Sequence, residues 1–310
     1  MNASPPTIGS LPYTGLSPTR RWWNRYRAAI FFVLPALLLY SIFMIYPFLR
    51  SIYFSFTDWN GVRPVKNWVG LANWRELVQD PMLWLSLRHN VIWVIVGTIT
   101  PLAIGFLLAL LLWRRPPGFT IFRTMFFMPQ VLSAVVIGII WTWIYNPLFG
   151  NLNKMLDAVG LEDVSRGWLG DPDIALFAVL TAAIWATIGF VFVVFLAGLQ
   201  NVNKDLLEAA TIDGANSWHR FRDVTVPQMS NLINVVTALL LIGGFNVFDI
   251  VWVMTQGGPA NATEVIATLT YKEAFTQNKV AYASAISLVM TFISLVASVV
   301  FIRLRERQED

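Results

Sequence analysis

The chain has 310 residues, of which 56% are hydrophobic and only 13% charged, against roughly 25% charged in a soluble domain. With a mean hydropathy of +0.59 it cannot supply the polar surface of a water-soluble globule, and it is too apolar for intrinsic disorder. The absence of Cys excludes disulfide scaffolds, zinc–thiolate sites and cysteine nucleophiles, two His (His89 and His219) leave little for a histidine metal cluster, and the net charge of +4 reads as Lys/Arg bias on one membrane face rather than affinity for nucleic acid.

In chain order, residues 1–19 are rich in Ser, Pro, Thr and Gly and read as part of a disordered tail, 1–27. The pair Arg20-Arg21 has the look of a twin-arginine signal. The apolar run behind it is too long and lacks a small-residue cleavage site, so that run is expected to stay as an anchor. A membrane-spanning helix needs roughly 20 apolar residues. Six stretches qualify: Ala28–Leu49, Val91–Trp113, Thr124–Tyr145, Ile174–Leu199, Met229–Gln256 and Val280–Ile302, the fifth interrupted by Asp249. The expected fold is an all-α, polytopic six-span domain over residues 28–305, with a short tail at 306–310. An even number of spans puts both termini on one side. Thirteen Lys and Arg lie in the N-tail, loops 114–123 and 200–228 and the C-tail, against eight in the other three loops, which makes the first set cytoplasmic.

The external loops 54–89 and 146–173 are too polar for lipid, and short interfacial helices are expected at Asn73–Val78 and Asn151–Val159. Trp22, Trp23, Tyr53, Trp59, Trp113, Trp141, Trp143 and Tyr145 sit near span ends, as interfacial anchors do.

Loop 200–228 reads as helix, turn, helix. Asn203 is an N-cap, Asp205 favours the first turn, and Leu206, Leu207 and Ala210 form an apolar face. Gly214 ends the helix at positive φ, Ser217 caps a second short helix with Trp218 and Phe221 a turn apart, and Pro227 stops it before span five. A helix of about nine residues is marginal alone in water and needs a packing partner. An amphipathic hairpin lying on the membrane or on its own bundle would satisfy that need. The residue pattern points further. Glu208-Ala209-Ala210-x-x-Asp213-Gly214-Ala215, followed by Phe221, Val226 and Pro227, closely resembles the EAA signature of ABC importer permeases. The resemblance implies a coupling helix that docks in a groove of a cytoplasmic ATPase, with Glu208 paired to a basic ATPase residue and Gly214 permitting the turn. Ser230 stands where that family often has a second Pro, which bears only on where span five begins.

Further on, Thr255-Gln256-Gly257-Gly258-Pro259 with Thr263 is similar to the Thr-x-Gly-Gly-Pro motif of carbohydrate permeases. Phe248-Asp249, Tyr271 and Phe275 flank it. Phe56-x-Asp58, Gly70-Leu71-x-Asn73-Trp74 and Trp168-Leu169-x-Asp171-Pro172 in the external loops are familiar from the same family. These motifs narrow the resemblance to binding-protein-dependent sugar importers of the maltose-transporter type, and to the first of their two permease subunits, over roughly residues 28–305. The glycines allow unusual backbone angles and the proline stops a helix. That suits an ordinary helix end, or a re-entrant turn formed by Gln256, Gly257 and Gly258 near an external gate.

Asp249 is the only ionisable residue well inside a predicted span, about 10 Å below its outer end, with Asn246 on the same helical face. It suits hydrogen bonding to sugar hydroxyls or support of a gate, or equally a structural bond to another helix, from Trp185 or a serine of span six. Trp185 itself suits stacking on a sugar or plain packing. Ser284, Ser287, Thr291, Ser294 and Ser298 form one stripe on span six that suits close helix packing first and pore lining second.

The function implied is a permease subunit of an ABC importer for a disaccharide or oligosaccharide, in a bacterial or archaeal inner membrane. Its partners would be a second permease subunit, two cytoplasmic ATPase subunits, an extracytoplasmic sugar-binding protein and the lipid membrane, with no nucleic acid. The chain has no Gly-Lys dipeptide and hence no Walker A loop. ATP and magnesium would be bound by the ATPase, leaving this chain with no cofactor, no metal and no catalytic residue. A stand-alone secondary transporter is the alternative, although one Asp and one break are fewer signs than that class usually carries, and no repeat is evident. A membrane-embedded enzyme has no residues to support it.

Overall fold

The computed structural model describes residues 18–306. Residues 1–17 of the expected N-terminal tail and 307–310 of the C-terminal tail therefore lie outside the described residues, while residues 18–27, also assigned to the tail, are helical. The chain divides into two units, at Tyr53–Phe54.

The first unit is helical from Pro18: α1 (Pro18–Tyr40), one π-helical turn at Ser41–Ile45, and α2 (Tyr46–Phe54). Its segment Ala29–Phe54 is long and apolar enough to cross a membrane. Phe31, Phe32, Phe43 and Leu49 are exposed around its circumference, as suits a helix solvated by lipid. The π turn closes with the Tyr46 N–H on the Ser41 carbonyl, just before Pro47. Pro47 has no N–H to donate, and its ring crowds the carbonyl four residues back, so a wider turn relieves both problems.

The second unit contains α3 (Ala72–Gln79), α4 (Pro81–Leu112), α5 (Phe119–Val131), α6 (Ala134–Ile144), α7 (Asn151–Ala158), α8 (Ala175–Gln200), α9 (Lys204–Ile212), α10 (Ser217–Arg220), α11 (Val226–Phe245), α12 (Asp249–Met254), α13 (Ile266–Tyr271) and α14 (Val280–Glu306). No strand occurs among the described residues beyond a single bridge, Thr57 to Trp68. The short helices expected at 73–78 and 151–159 are present as α3 and α7. Their motifs have structural work: Asn73 Nδ2 donates to the Ser55 and Thr57 carbonyls at 2.9 and 2.8 Å, and Trp168 Nε1 donates to Asn153 Oδ1 at 2.6 Å. Asn67 donates to both carboxylate oxygens of Asp58 at 2.8 Å and holds that carboxyl below its usual range.

The helix α4 begins at Pro81, ten residues before the expected span. Asp80 caps it by accepting from the Met82 N–H at 2.8 Å, with Pro81 in its first turn. At 32 residues it is roughly 48 Å long, more than the hydrocarbon core requires. α8 is the central helix, with twelve buried residues, and it packs along α4 and α5. Close approach depends on small residues: a Cβ on Gly105 of α4 would lie 2.7 Å from Val191, and one on Gly189 would strike the Phe126 carbonyl. Three cores result. One joins α6, α8 and α12 around Val179 and Val251. The second joins α3, α4, α13 and α14 around Leu77 and Ile286. The third joins α4, α8 and α11 around Phe192, Phe195 and Met229.

Three expectations are corrected. The third span is no single rod: α5 and α6 meet at 105°. Pro129 lies in the last turn of α5, and Ser133, in extended conformation, restarts the helix by accepting from the Val136 N–H at 3.4 Å. Five helices are therefore long and apolar enough to cross a membrane, or six when this bent pair is one span. The fifth span is also broken. α11 ends at Phe245, and the chain leaves helical geometry through Asn246–Phe248 before α12 begins at Asp249. The second helix of loop 200–228 is capped by Asn216, whose Oδ1 accepts from the His219 N–H at 3.0 Å, and Pro227 does not stop it. A π turn at Phe221–Thr225 takes up the proline, and the helix runs from Ser217 through Phe245 as one 29-residue segment. The hydroxyls of Ser284, Ser287, Thr291 and Ser298 donate to carbonyls of their own helix, so the stripe offers small surface rather than cross-helix bonds.

The break at Asn246 is closed by a side chain from another helix. Asn90 of α4 is fully buried; its Nδ2 donates to the Phe245 carbonyl at 3.3 Å and its Oδ1 accepts from the Ile266 N–H at 2.8 Å. Replacing Asn90 by Leu strands two buried backbone groups. We expect it to destabilise the detergent-solubilised chain by about 2–4 kcal/mol, read as a lowered melting temperature.

Candidate functional site

Two regions contain the residues singled out from sequence. The first is loop 200–228. Asn203 caps α9 as expected, its Oδ1 accepting from the Asp205 N–H at 2.8 Å, while its own N–H donates to Gln228 Oε1 at 2.8 Å. The end of α9 is a Schellman turn: the Gly214 N–H bonds the Thr211 carbonyl at 3.1 Å and the Ala215 N–H bonds the Ala210 carbonyl at 2.9 Å. This geometry puts Gly214 at φ +82°, where no neighbour restricts its space, so the conformation alone demands glycine. Arg220 braces the hairpin from inside, with Nη1 on Thr211 Oγ1 at 3.1 Å and on the Ala215 carbonyl at 3.3 Å, and Nη2 on Ser217 Oγ at 3.2 Å. Phe221 packs at a tilt against Phe106 of α4 and against Trp218, which seats the hairpin on the bundle.

Glu208, Ala209, Asp213, Gly214 and Pro227 are exposed, while Ala210 and Ala215 are half-buried. Leu206 and Ile212 are 51% and 85% exposed, an apolar surface left uncovered by this chain. A cleft of about 740 Å³ between α9, α10 and the end of α4 is lined by Arg114, Lys204, Arg220 and Glu208 over Leu110 and Trp113.

The second region surrounds the broken fifth span. Asn246 donates to the Ile242 carbonyl of its own helix at 2.9 Å and is exposed. Asp249 is exposed in the first turn of α12, where a carboxylate suits the helix dipole. The break between them means that Asn246 and Asp249 do not share one helical face, and no bond joins Asp249 to Trp185 or to a span-six serine. Trp185 instead meets Trp141 edge-on at 5.8 Å and keeps 38% of its surface exposed. A cavity of about 270 Å³ lies at the break, bounded by Trp93, Gly97, Leu180, Ile184, Gly243, Gly244 and Ile250.

Beyond α12 the chain makes the turn that the Gly-Gly-Pro suggested. Gln256 and Gly257 both have positive φ, at 51° and 84°. Thr255 Oγ1 lies 2.7 Å from Thr263 Oγ1, which lies 2.7 Å from the Gly258 carbonyl, so the two motif threonines tie the turn's ends together. A Cβ on Gly257 would strike the carboxylate of Glu264. Gln256 is exposed, Gly257 buried and Gly258 half-buried.

Four residues around this turn were missed from sequence. Glu264 is 1% exposed and pairs with Lys272, leaving its Oε1 without a partner. His89 Nδ1–H donates to the Glu264 carbonyl at 2.8 Å, which fixes that tautomer, and Asn90 holds the next backbone N–H but one. His89 and Asn90 fell just outside the segment read as span two. Glu264 follows Thr263 directly, so the motif itself ran up to it.

Residues 101–309 match the family described as binding-protein-dependent transport system inner membrane component. The chain is 36% identical over 267 residues to a probable ABC transporter permease protein of Pyrococcus horikoshii, covering 86% of this chain and 91% of that one. It is 32% identical to the probable starch degradation products transport system permease AmyD of Thermoanaerobacterium thermosulfurigenes, over 90% of this chain and 94% of that one. It is 30% identical to the multiple sugar-binding transport system permease MsmF of Streptococcus mutans, over 94% and 99%. Its fold matches a chain of a bacterial alginate ABC transporter crystallised with an alginate pentasaccharide-bound periplasmic protein, with a TM-score of 0.81 at 20% identity over 93% of this chain and 96% of that one.

Breaking the Glu264–Lys272 pair from one side leaves a buried charge alone. Lys272→Met is expected to cost about 3–5 kcal/mol in chemical denaturation, and the double variant Glu264→Gln/Lys272→Met to recover most of that loss.

Proposed function

This chain belongs to the family of binding-protein-dependent transport system inner membrane components and is the permease component of an ABC transporter, and from that premise we propose that it imports a sugar. It forms one half of a translocation path, beside a second permease subunit, in a bacterial or archaeal inner membrane. Two cytoplasmic ATPase subunits bind the ATP and magnesium, so this chain is not itself an enzyme, and an extracytoplasmic binding protein delivers the sugar. The names of the starch-product and multiple-sugar relatives support a di- or oligosaccharide as cargo.

The observation that carries this reading is the α9–α10 hairpin. It is internally braced, it exposes Leu206 and Ile212, and it carries Glu208 with no partner of its own. A partner protein covers such a surface. The hairpin is continuous with the helix Ser217–Phe245, roughly 43 Å long, whose far end is the break at Asn246. ATPase closure moves the hairpin, the helix carries the displacement, and the break lets Asp249, Gln256, Gly257 and Gly258 shift relative to α11. Asn246, Asp249 and Trp185 are the residues offered to sugar on this path. The two broken spans are also a feature of secondary transporters; transport of sugar by the purified chain without any ATPase would favour that reading.

Glu208→Ala removes an exposed side chain, so its melting temperature should stay within the shift of about 0.5 kcal/mol while uptake by the reconstituted complex and capture of the ATPase both fall. Gly214→Pro loses the positive φ and the Thr211 bond and should abolish both. Unchanged transport and ATPase capture in the two variants would remove the coupling assignment. Asp249→Ala should lower sugar uptake with the complex still assembled; uptake at the normal rate would take Asp249 out of the path.

A further inference from the structure

Three cations from three elements converge on the cleft of about 740 Å³ between the end of α4 and the α9–α10 hairpin. Arg114 follows the C-cap of α4, Lys204 opens α9 and Arg220 ends α10. Glu208 is the one carboxylate in the walls. The ion pairs among the described residues engage Arg166, Arg222, Lys272 and Lys279, and none involves these three cations. Arg114 and Lys204 are exposed. Arg220 is half-buried and its guanidinium bonds only neutral acceptors, on Thr211, Ala215 and Ser217, so its charge is held in place without being balanced. Positive groups gathered in this way focus their field on the cleft and draw an anion into it.

Depth and lining decide which anion fits. The membrane-long segment Pro81–Leu112 ends two residues before Arg114, which puts Arg114 at the level of lipid headgroups with Trp113 beside it. Leu110, inside that segment, and Trp113 give the cleft an apolar wall. Inorganic phosphate would use the cations and leave this wall wet. A phospholipid uses both: its phosphate meets the guanidinium and ammonium groups, and the first methylenes of its chains lie on Leu110 and Trp113. The cleft is also distinct from the surface assigned to the ATPase. Lys204, Leu207, Glu208 and Thr211 line it at helical spacing on one face of α9, whereas the exposed Leu206 and Ile212 do not line it. Glu208 alone belongs to both.

We propose that this cleft binds the phosphate of an anionic phospholipid headgroup, held by Arg114, Lys204 and Arg220 over the apolar wall of Leu110 and Trp113. The bound headgroup ties α9 to the end of α4, so the charge of the surrounding leaflet sets how firmly the hairpin is seated. This rests on the reading of the hairpin as lying at the cytoplasmic membrane surface and does not depend on the cargo.

The test uses the full chain in a neutral detergent, with phosphatidylglycerol, phosphatidylcholine and glycerol phosphate as probes and native mass spectrometry as the readout. Phosphatidylglycerol should bind about tenfold more tightly than phosphatidylcholine, whose choline cancels the phosphate charge. Arg114→Gln and Lys204→Gln should each weaken it about fivefold, from the worth of one basic residue beside an anionic headgroup, and Arg114→Lys by less than about twofold. Both side chains are exposed and unbonded, so these variants should melt with the wild type. Arg222→Gln removes an exposed cation that does not line the cleft and should bind as the wild type does. Amide exchange over residues 204–212 should slow when phosphatidylglycerol is added to the wild type and stay unchanged in Lys204→Gln. Equal binding of the two lipids, or a loss in Arg222→Gln as large as that in Arg114→Gln, would overturn the site in favour of general surface charge. Glycerol phosphate binding as tightly as phosphatidylglycerol would overturn the lipid in favour of a soluble phosphate. Neither ATPase nor sugar enters these measurements, so failure of the site leaves the importer reading standing, and that reading fails separately, on uptake and ATPase capture.

Discussion

A helix that stops inside an apolar segment leaves carbonyl and N–H groups where no water can bond them, and each must find a partner in the protein. The fifth span stops in this way at Phe245, and the rest of this end of the bundle is arranged around the answer. Asn90 takes the carbonyl that ends α11 and supplies an acceptor to the N–H that starts α13. One side chain thus closes both ends of the excursion that contains α12 and the Gly257–Gly258–Pro259 turn. His89 beside it holds the Glu264 carbonyl. The N-terminal extension of α4 carries the polar pair at positions 89 and 90 that satisfies these backbone groups.

The break also divides the molecule mechanically. On one side is a continuous helix from Ser217 to Phe245, rigid because its proline has been absorbed by a π turn rather than allowed to end it. The first unit treats Pro47 in the same way, with a π turn ending two residues before the proline. On the other side is a compact assembly of α12, the Gly-Gly-Pro turn and α13, tied together by Thr255, Thr263 and the Glu264–Lys272 pair. A stiff rod joined to a stiff cap through three non-helical residues concentrates any movement at Asn246–Phe248.

The charges follow the same division. Glu264 is buried and paired, and it stands under a glycine that no larger residue could replace. Asp249 is exposed and unpaired. A buried carboxylate pays its desolvation through Lys272 and serves the shape of the turn. An exposed one at the start of α12 is available to something outside this chain.

Much was legible in the sequence because it depends on local chemistry. Hydrophobic length marked the spans, Asn203 and Gly214 marked the ends of α9, and the Glu208–Ala215 and Thr255–Pro259 motifs pointed to the family before any coordinate was considered. The Schellman turn at Gly214 is local, and a glycine after a short amphipathic helix is enough to announce it. The sequence misplaced what long-range packing controls. Met229–Gln256 has the composition of one helix, and nothing within it says that it breaks at Asn246; the partner that permits the break is Asn90, more than 150 residues away. Thr124–Tyr145 likewise reads as a rod, although it bends by 105° where α8 and α12 pack against it. Asp249 reads from sequence as the charge inside a span, but the fold exposes it and buries Glu264 instead. Sequence by itself determined that the chain is helical and apolar, which segments are long and apolar enough to cross a membrane, and where the Glu208–Ala215 motif lies. The tertiary structure alone decided where those helices break and which carboxylate is hidden, because an unpaired backbone group or charge is tolerated or refused by neighbours that are distant in the chain.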